Sequence, residues 1–181
     1  MKLPNVLTIL RIIMIPFFVA AFLIADISDW VTLLIFVLAA ITDALDGHIA
    51  RKQNIVTDFG KLMDPLADKI MVLSALICFT AAGILHPIIT IIILAREFLV
   101  TGLRSIASSK GRVIAADIFG KVKTISQYVY IIVVLVKRAV APEFEVALEV
   151  LTVISIGVML ALASISAINY CFKNKDIFKD N

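Results

Sequence analysis

Four aspartates lie within apolar sequence at a regular spacing. Two occur in a D-x-x-D-G-x-x-A-R segment, and after eight further residues the other two occur in a G-x-x-x-D-x-x-x-D segment. The residues that fill the pattern are Asp43, Asp46, Gly47, Ala50, Arg51, Gly60, Asp64 and Asp68. A carboxylate in hydrocarbon is costly unless it meets a cation or a wet cavity. These four acids are therefore candidates for function.

The spacing places the acids on two helical stripes. At about 100° per residue, Asp46, Gly47 and Ala50 lie within about 60° of Asp43, so the four share one stripe. The glycine and the two aspartates of the second segment form another stripe, about 80° wide. Because a short loop joins the two helices antiparallel, we expect the stripes to face each other and to gather four carboxylates around one small volume.

Four neighbouring carboxylates would be forced to protonate unless cations neutralised them. Neither stripe carries a histidine or cysteine, and ligation by oxygen alone is typical of magnesium or manganese. His48 lies about 140° from Asp43 and is expected to point outward. The sequence therefore predicts a site for two magnesium ions, with manganese as an alternative.

Small residues accompany the acids. Gly47, Ala50 and Gly60 clear space on the stripes, so that a bulky, flat group can approach the backbone. Arg51 ends its helix where a guanidinium can pair with a phosphate. Thirteen uncharged residues precede Asp43 and cover about 20 Å, which leaves it about 10 Å inside a hydrocarbon core about 30 Å thick. The pattern indicates a nucleotide diphosphate site whose substrate has one polar end and one end in lipid.

The elements that position these residues are apolar helices. Apolar residues make up 61% of the 181 and the mean hydropathy is +1.05, whereas soluble domains are nearer half apolar. We expect an all-α integral membrane protein with a single domain over residues 1–181, six transmembrane helices and short loops. The expected helices are Val6–Ala25, Trp30–Arg51, Asp58–Ala82, Pro87–Ser109, Ile118–Arg138 and Glu145–Phe172.

Basic residues predict the orientation. Fifteen of the seventeen Lys and Arg, all but Lys137 and Arg138, fall toward the side that carries both termini in a six-helix arrangement. The positive-inside rule makes that side cytoplasmic, with the aspartates near the same face. We expect a multi-pass protein of the plasma membrane. The net charge of +3 then reflects topology and contact with anionic membrane lipids, and nucleic acid is not an expected partner.

The eight-position pattern resembles the signature of the CDP-alcohol phosphatidyltransferases, with the same spacing throughout. The resemblance implies that the four aspartates hold two magnesium ions, that Asp68 is also the general base, and that the protein is a homodimer. The opening segment 4–11 is similar to the N-terminal segment of that family, which lies near the nucleotide. The implied CDP-diacylglycerol site comprises Asn5, Thr8, Arg11, Gly47, Ala50, Arg51, Thr57 and Gly60.

The reaction implied by the resemblance is phosphatidyl transfer from CDP-diacylglycerol to an alcohol with release of CMP. Metal ions neutralise charge as the phosphorus–oxygen bond breaks. Neither stripe offers an obvious nucleophile for a covalent intermediate, so the acceptor hydroxyl is expected to attack directly.

A second basic cluster bears on the acceptor. Arg96, Arg104 and Lys121 could clamp a phosphate monoester, or they could be positive-inside anchors, with Arg96 and Glu97 forming an internal ion pair. Lys123 lies about 200° from Lys121 and is expected to extend to lipid headgroups. The segment R-E-F-L-V-T-G-L-R followed by G-K-V-K-T resembles the bacterial branch that uses sn-glycerol 3-phosphate, which implies phosphatidylglycerol phosphate as the product.

Two alternatives remain open from the sequence. Within the same class, the acceptor could be inositol phosphate, serine or phosphatidylglycerol, of which the last two have little use for a second phosphate site. From a different class, intramembrane acids also suit a transporter of divalent cations or protons. Transporters usually show internal repeats and acids on separated helices, whereas here one helical hairpin carries all four aspartates.

Overall fold

A computed structural model describes residues 3–24, 27–53, 58–109, 118–140 and 142–174. Within these ranges, the side chains at positions 3–5, 7, 44–53, 58–65, 68, 119 and 142 lie outside the description. The described part is all-helical. Its elements are α1 (Leu3–Leu23), α2 (Asp29–Gln53), α3 (Asp58–Ala81), α4 (Pro87–Ser109), α5 (Ile118–Ala139), a 3-10 turn (Pro142–Phe144) and α6 (Glu145–Lys173).

The predicted helices are confirmed, and their ends differ from the prediction by three residues at most. The break between α3 and α4 was predictable because Gly83 and Pro87 end one helix and begin the next. Gly83 adopts a φ of +71°, which favours glycine because it has no Cβ. The amide of Ile84 donates to the carbonyl of Phe79 at 2.8 Å and so closes the end of α3. Pro87 is the first residue of α4, where its missing N–H costs no helical hydrogen bond.

The helices pack so that α1 contacts both α2 and α3, while α5 contacts α2 and α6, and α6 also contacts α4. The main core is aromatic in its centre. The rings of Phe18 and Phe36 lie 5.8 Å apart, and those of Phe79 and Tyr130 lie 6.0 Å apart in an edge-to-face arrangement. All four side chains are fully buried. Edge-to-face and tilted ring pairs at these distances are favourable contacts, and here they join α1 to α2 and α3 to α5.

Lys137 and Arg138, the two basic residues predicted to lie on the side opposite the termini, each pair with an acid. Arg138 at the end of α5 bonds Asp29 at the start of α2 at 2.9 Å, and its guanidinium lies 4.1 Å from the ring centroid of Phe22. Lys137 pairs with Glu149 of α6. Both cations are therefore neutralised by nearby acids. Asp29, at this end of the bundle, lies fourteen residues before Asp43 on α2.

The outer surface is strongly apolar. Val146 is 80% exposed, Ile118 74% and Phe172 73%, an exposure typical of side chains that face lipid rather than water. Of the described helices, α6 is long and apolar enough to cross a membrane, with a hydropathy of 2.4, and shorter apolar helices cover 8–23 and 69–81. The fold is compatible with a membrane protein.

Candidate active site

One cavity brings the first signature aspartate together with charged residues of three other helices. Its volume is about 160 Å³, which is ample for several water molecules or a small ligand. Asp43 comes from α2 and Glu97 from α4. The remaining described lining residues come from α3 and α5: Lys69, Val72, Leu73, Lys123, Thr124, Gln127 and Tyr128. We call this space the Asp43 cavity.

Asp43 is held by an arginine of α1. Nη1 of Arg11 lies 3.2 Å from Oδ1 of Asp43, and the side chain of Arg11 is 1% exposed against 29% for Asp43. A guanidinium this deeply buried requires a partner charge. Because α1 packs against α2, the N-terminal segment reaches Asp43, the first residue of the aspartate stripe, and Arg11 supplies a permanent positive charge beside it.

Glu97 is the centre of a buried charge network. Its Oε1 atom accepts from Nη1 of Arg96 at 3.2 Å and also from Nζ of Lys123. Arg96 continues the network to α6, where its Nη2 donates to Oγ of Ser166 at 2.5 Å. The three charged side chains are each less than 10% exposed. The Arg96–Glu97 ion pair that the sequence left open is therefore present, with Lys123 as a further partner.

The prediction that Lys123 extends to lipid headgroups is wrong. Lys123 is 3% exposed and faces Glu97 inside the bundle, whereas Lys121 is exposed. The separation of about 200° between them was sound, but the face that turns inward is the opposite of the one expected.

Glu97→Gln is expected to lower the free energy of unfolding by about 3 kcal/mol, because it leaves Lys123 and Arg96 buried without a counter-charge. Thermal unfolding in detergent measures the change. The matched control is Glu149→Gln, which also removes a carboxylate from a lysine pair, but one whose glutamate is 55% exposed. An exposed pair contributes about 0–1 kcal/mol, so equal losses in the two variants would contradict the expectation.

The other cations predicted to bind an acceptor lie in different surroundings. Nε of Arg104 donates to the hydroxyl of Tyr170 at 2.8 Å, and its guanidinium lies 5.6 Å from the centroid of that ring. Arg104, like Arg96, is therefore oriented by a side chain of α6. Neither arginine nor Lys121 is among the described residues that line the Asp43 cavity. Lys69, which follows the last signature aspartate, does line it and donates to Thr101 of α4 at 2.5 Å.

Several predicted site residues cannot be located by their side chains. Thr57 lies outside the described residues. The others occupy helices whose side chains are outside the description at these positions: Asn5 on α1, Asp46, Gly47, Ala50 and Arg51 on α2, and Gly60, Asp64 and Asp68 on α3. Thr8, by contrast, is described and fully buried on α1, one turn before Arg11. The juxtaposition of the two aspartate stripes stays a prediction.

The described part of the site fits a divalent metal in its chemistry. Asp43 offers a partly exposed carboxylate to a cavity, which is the oxygen ligand that magnesium and manganese prefer. No group of three or more acids, histidines and cysteines is present among the described side chains. The side chains of three of the four predicted ligands, Asp46, Asp64 and Asp68, lie outside the description.

Sequence reasoning predicted Asp43 alone of the described lining residues as a site residue, and the missed residues include four with a charge or an amide: Lys69, Glu97, Lys123 and Gln127. A signal was available for two of them. Lys123 and Gln127 stand four residues apart in a largely apolar helix, and they share a face with buried Tyr130 and Val134. Polar residues on the buried face of an apolar helix are candidates for a site.

The family assignment follows from comparison with known proteins. The family model for CDP-alcohol phosphatidyltransferase matches residues 1–165. The chain belongs to the CDP-alcohol phosphatidyltransferase family, a family of membrane enzymes that generally use divalent metal ions.

Several relatives carry one printed name, CDP-diacylglycerol–glycerol-3-phosphate 3-phosphatidyltransferase. The protein from Bacillus subtilis is 34% identical over an alignment of 193 positions, which covers 98% of this chain and 97% of the relative. The protein from Rickettsia felis is 44% identical over 127 residues, or 70% of each chain. The protein from Haemophilus influenzae is 41% identical over 133 residues, covering 70% of this chain and 71% of the relative.

Proposed function

We propose that the chain transfers the phosphatidyl group of CDP-diacylglycerol to sn-glycerol 3-phosphate, which gives phosphatidylglycerol phosphate and CMP. The observation that carries the proposal is the Asp43 cavity, in which the first signature aspartate shares one space with charged side chains of α3, α4 and α5. The names of relatives that align over nearly the whole chain or over 70% of it support the same acceptor.

The donor half of the site is proposed to lie along α2 and the N-terminal part of α3. Asp43, Asp46, Asp64 and Asp68 would hold two magnesium ions, for which manganese could substitute. When bound, these ions would supply positive charge to the pyrophosphate as the bond between its β-phosphorus and the oxygen of the departing CMP breaks. The nucleotide and pyrophosphate would contact Asn5, Thr8, Arg11, Gly47, Ala50, Arg51, Thr57 and Gly60.

Asp68 is proposed to take the proton from the attacking hydroxyl. It lies on α3 directly before Lys69, a residue that lines the Asp43 cavity. The hydroxyl attacks the β-phosphorus of the donor directly, the bond to the CMP oxygen breaks, and the proton passes to the carboxylate of Asp68. Arg51, as a permanent cation, would orient the pyrophosphate during this displacement.

The acceptor phosphate is proposed to bind on the side of the cavity away from α2. The charged side chains that line the described cavity balance, with the cations Lys69 and Lys123 against the acids Asp43 and Glu97. Arg11 and Arg96 do not line the cavity but pair with these two acids, and counting them brings the sum to two positive charges. Such a sum suits a dianionic phosphate monoester. Arg96, Arg104 and Lys121 would complete the binding of this phosphate, with the two arginines oriented by Ser166 and Tyr170.

The surroundings of the site are also part of the proposal. The chain is proposed to form one domain of six transmembrane helices in the plasma membrane, with both termini and the active site near the cytoplasmic face. The exposed apolar side chains on every long helix support contact with membrane lipids. A homodimer is expected from the family resemblance.

An acceptor panel tests the proposed function. Purified protein in detergent is given CDP-diacylglycerol, magnesium and one alcohol at a time, and release of CMP is measured. Glycerol 3-phosphate should be by far the best acceptor, and plain glycerol should be very poor because it lacks the phosphate. If serine, inositol phosphate or phosphatidylglycerol reacts best, the proposed acceptor is wrong. If no alcohol releases CMP, the proposed reaction is wrong.

Substitution of arginines should separate the acceptor from the donor. Arg104→Gln is expected to raise the KM for glycerol 3-phosphate about ten- to a hundredfold, the effect of losing one charge-assisted contact. It should change the KM for CDP-diacylglycerol little. Arg51→Gln should do the reverse. Steady-state kinetics with each substrate varied in turn measures both constants.

The control for this pair is Tyr170→Phe, which keeps the ring beside Arg104 and removes the hydroxyl that accepts its hydrogen bond. Its effect on the KM for glycerol 3-phosphate should have the same direction as that of Arg104→Gln and be smaller. If Arg104→Gln changes neither KM, Arg104 is a positive-inside anchor and not part of the acceptor site.

A further inference from the structure

Gln127 is a buried polar residue whose amide nitrogen is left unpaired in the described protein. It lies on α5, is 2% exposed and lines the Asp43 cavity. Its Nε2 atom is buried and has no hydrogen-bond partner among the described residues. A buried donor without a partner is costly to the folded protein and is rare in native structures. The amide therefore suits a ligand atom that enters the cavity.

The neighbouring groups of the lining are already committed. The carboxylate of Glu97 accepts from Lys123 and Arg96. The hydroxyl of Thr124, which is one turn before Gln127, donates to the carbonyl of Gly120 at 3.0 Å. The cations of the lining, Lys69 and Lys123, can neutralise an anion. The amide of Gln127 is neutral and therefore suits an uncharged polar group. An amide both donates and accepts, which matches a hydroxyl group.

We propose that Gln127 determines acceptor specificity by hydrogen bonding the secondary hydroxyl of the acceptor, the hydroxyl that does not react. This inference rests on the proposed function. Glycerol 3-phosphate carries a phosphate, a reacting primary hydroxyl and, between them, a secondary hydroxyl. With the phosphate facing the cations and the primary hydroxyl directed to the aspartates, the secondary hydroxyl lies between these two groups. Gln127 lines this cavity together with Lys123 and Asp43.

The test compares glycerol 3-phosphate with 3-hydroxypropyl phosphate, which lacks only the secondary hydroxyl. The unmutated protein should prefer glycerol 3-phosphate by about ten- to a hundredfold in kcat/KM, the usual effect of one buried hydrogen bond. In Gln127→Met, which keeps the length of the side chain, the preference should fall to within about twofold. The loss should be confined to glycerol 3-phosphate, while kcat/KM for 3-hydroxypropyl phosphate is retained.

A second variant and a control keep the test decisive. Gln127→Asn withdraws the amide by one methylene and should shift the preference in the same direction. Ser126→Ala alters an adjacent buried polar residue of α5 that does not line the Asp43 cavity, and it should keep the full preference. Thermal unfolding without acceptor should show Gln127→Met to be no less stable than the unmutated protein, because it removes an unpaired buried donor.

The outcomes separate the inference from the proposed function. If the unmutated protein prefers glycerol 3-phosphate and Gln127→Met keeps that preference, the inference is wrong and the proposed function stands. If the unmutated protein uses glycerol 3-phosphate and 3-hydroxypropyl phosphate equally well, Gln127 does not recognise the secondary hydroxyl and the inference is wrong. If it accepts neither phosphate, both the proposed function and the inference are wrong.

Discussion

Asp68→Asn is expected to reduce phosphatidyl transfer by about 10²- to 10⁴-fold, the usual contribution of a general base, while the protein still folds. The amide keeps the shape of the carboxylate but cannot take the proton of the acceptor hydroxyl. Release of CMP from CDP-diacylglycerol at saturating glycerol 3-phosphate measures the rate, and thermal unfolding confirms the fold.

Asp68 is also a proposed metal ligand, so the two roles must be separated. Manganese binding, followed by electron paramagnetic resonance, gives the metal affinity of Asp68→Asn directly. The rate is then measured at a manganese concentration that saturates the variant. A rate that recovers to near normal under those conditions would assign Asp68 to metal binding alone and would contradict its role as the base.

Removal of divalent metal is the second change with a large expected effect. Chelation should abolish transfer, and magnesium or manganese should restore it, because the proposed carboxylate cluster requires cations to remain ionised next to a pyrophosphate. Calcium should restore it poorly, since calcium tolerates looser coordination geometry. Full activity after exhaustive removal of metal would contradict the proposed site.

A variant of Asp43 makes the metal prediction specific. Asp43→Asn should weaken manganese binding strongly, while its amide oxygen can still accept a hydrogen bond from buried Arg11. The matched control is Asp29→Asn, which lies on the same helix, pairs with Arg138 and is 28% exposed against 29% for Asp43. It should leave manganese binding unchanged. Equal weakening by both substitutions would point to a general disturbance of α2.

The helices could be predicted from the sequence because their ends carry local signals. Gly83 and Pro87 separate α3 from α4 at the predicted place, and Pro142 opens the short turn before α6. These residues act through their own backbone geometry, which does not depend on the rest of the fold.

The inward face of α5 could not be predicted in the same way. A helix between the core and lipid is apolar on both sides, so hydrophobic periodicity does not identify the buried side. Lys121 and Lys123 were correctly expected on opposite faces, but only the partner on α4, Glu97, decides which of them turns inward. The Asp43 cavity needs contributions from four helices, and its composition therefore depends on packing rather than on local sequence.

The sequence did predict the parts of the site that lie close together along the chain. The aspartate spacing drew attention to Asp43, which lines the cavity, and the opening segment drew attention to Arg11, which pairs with it. Lys69 belongs to no recognisable spacing, the four-residue spacing of Gln127 from Lys123 was not used, and both residues were identified only through the cavity that they share.

The length of α6 makes bilayer thickness a variable for the site. Its 29 residues span about 44 Å at about 1.5 Å per residue, which exceeds a hydrocarbon core of about 30 Å. A helix of this length in a membrane must tilt or extend beyond the hydrocarbon. Because α6 holds Arg96 through Ser166 and Arg104 through Tyr170, any change in its tilt moves both guanidinium groups. With α6 in the membrane as proposed, we expect the acyl-chain length of the surrounding lipids to act on the residues proposed to bind the acceptor.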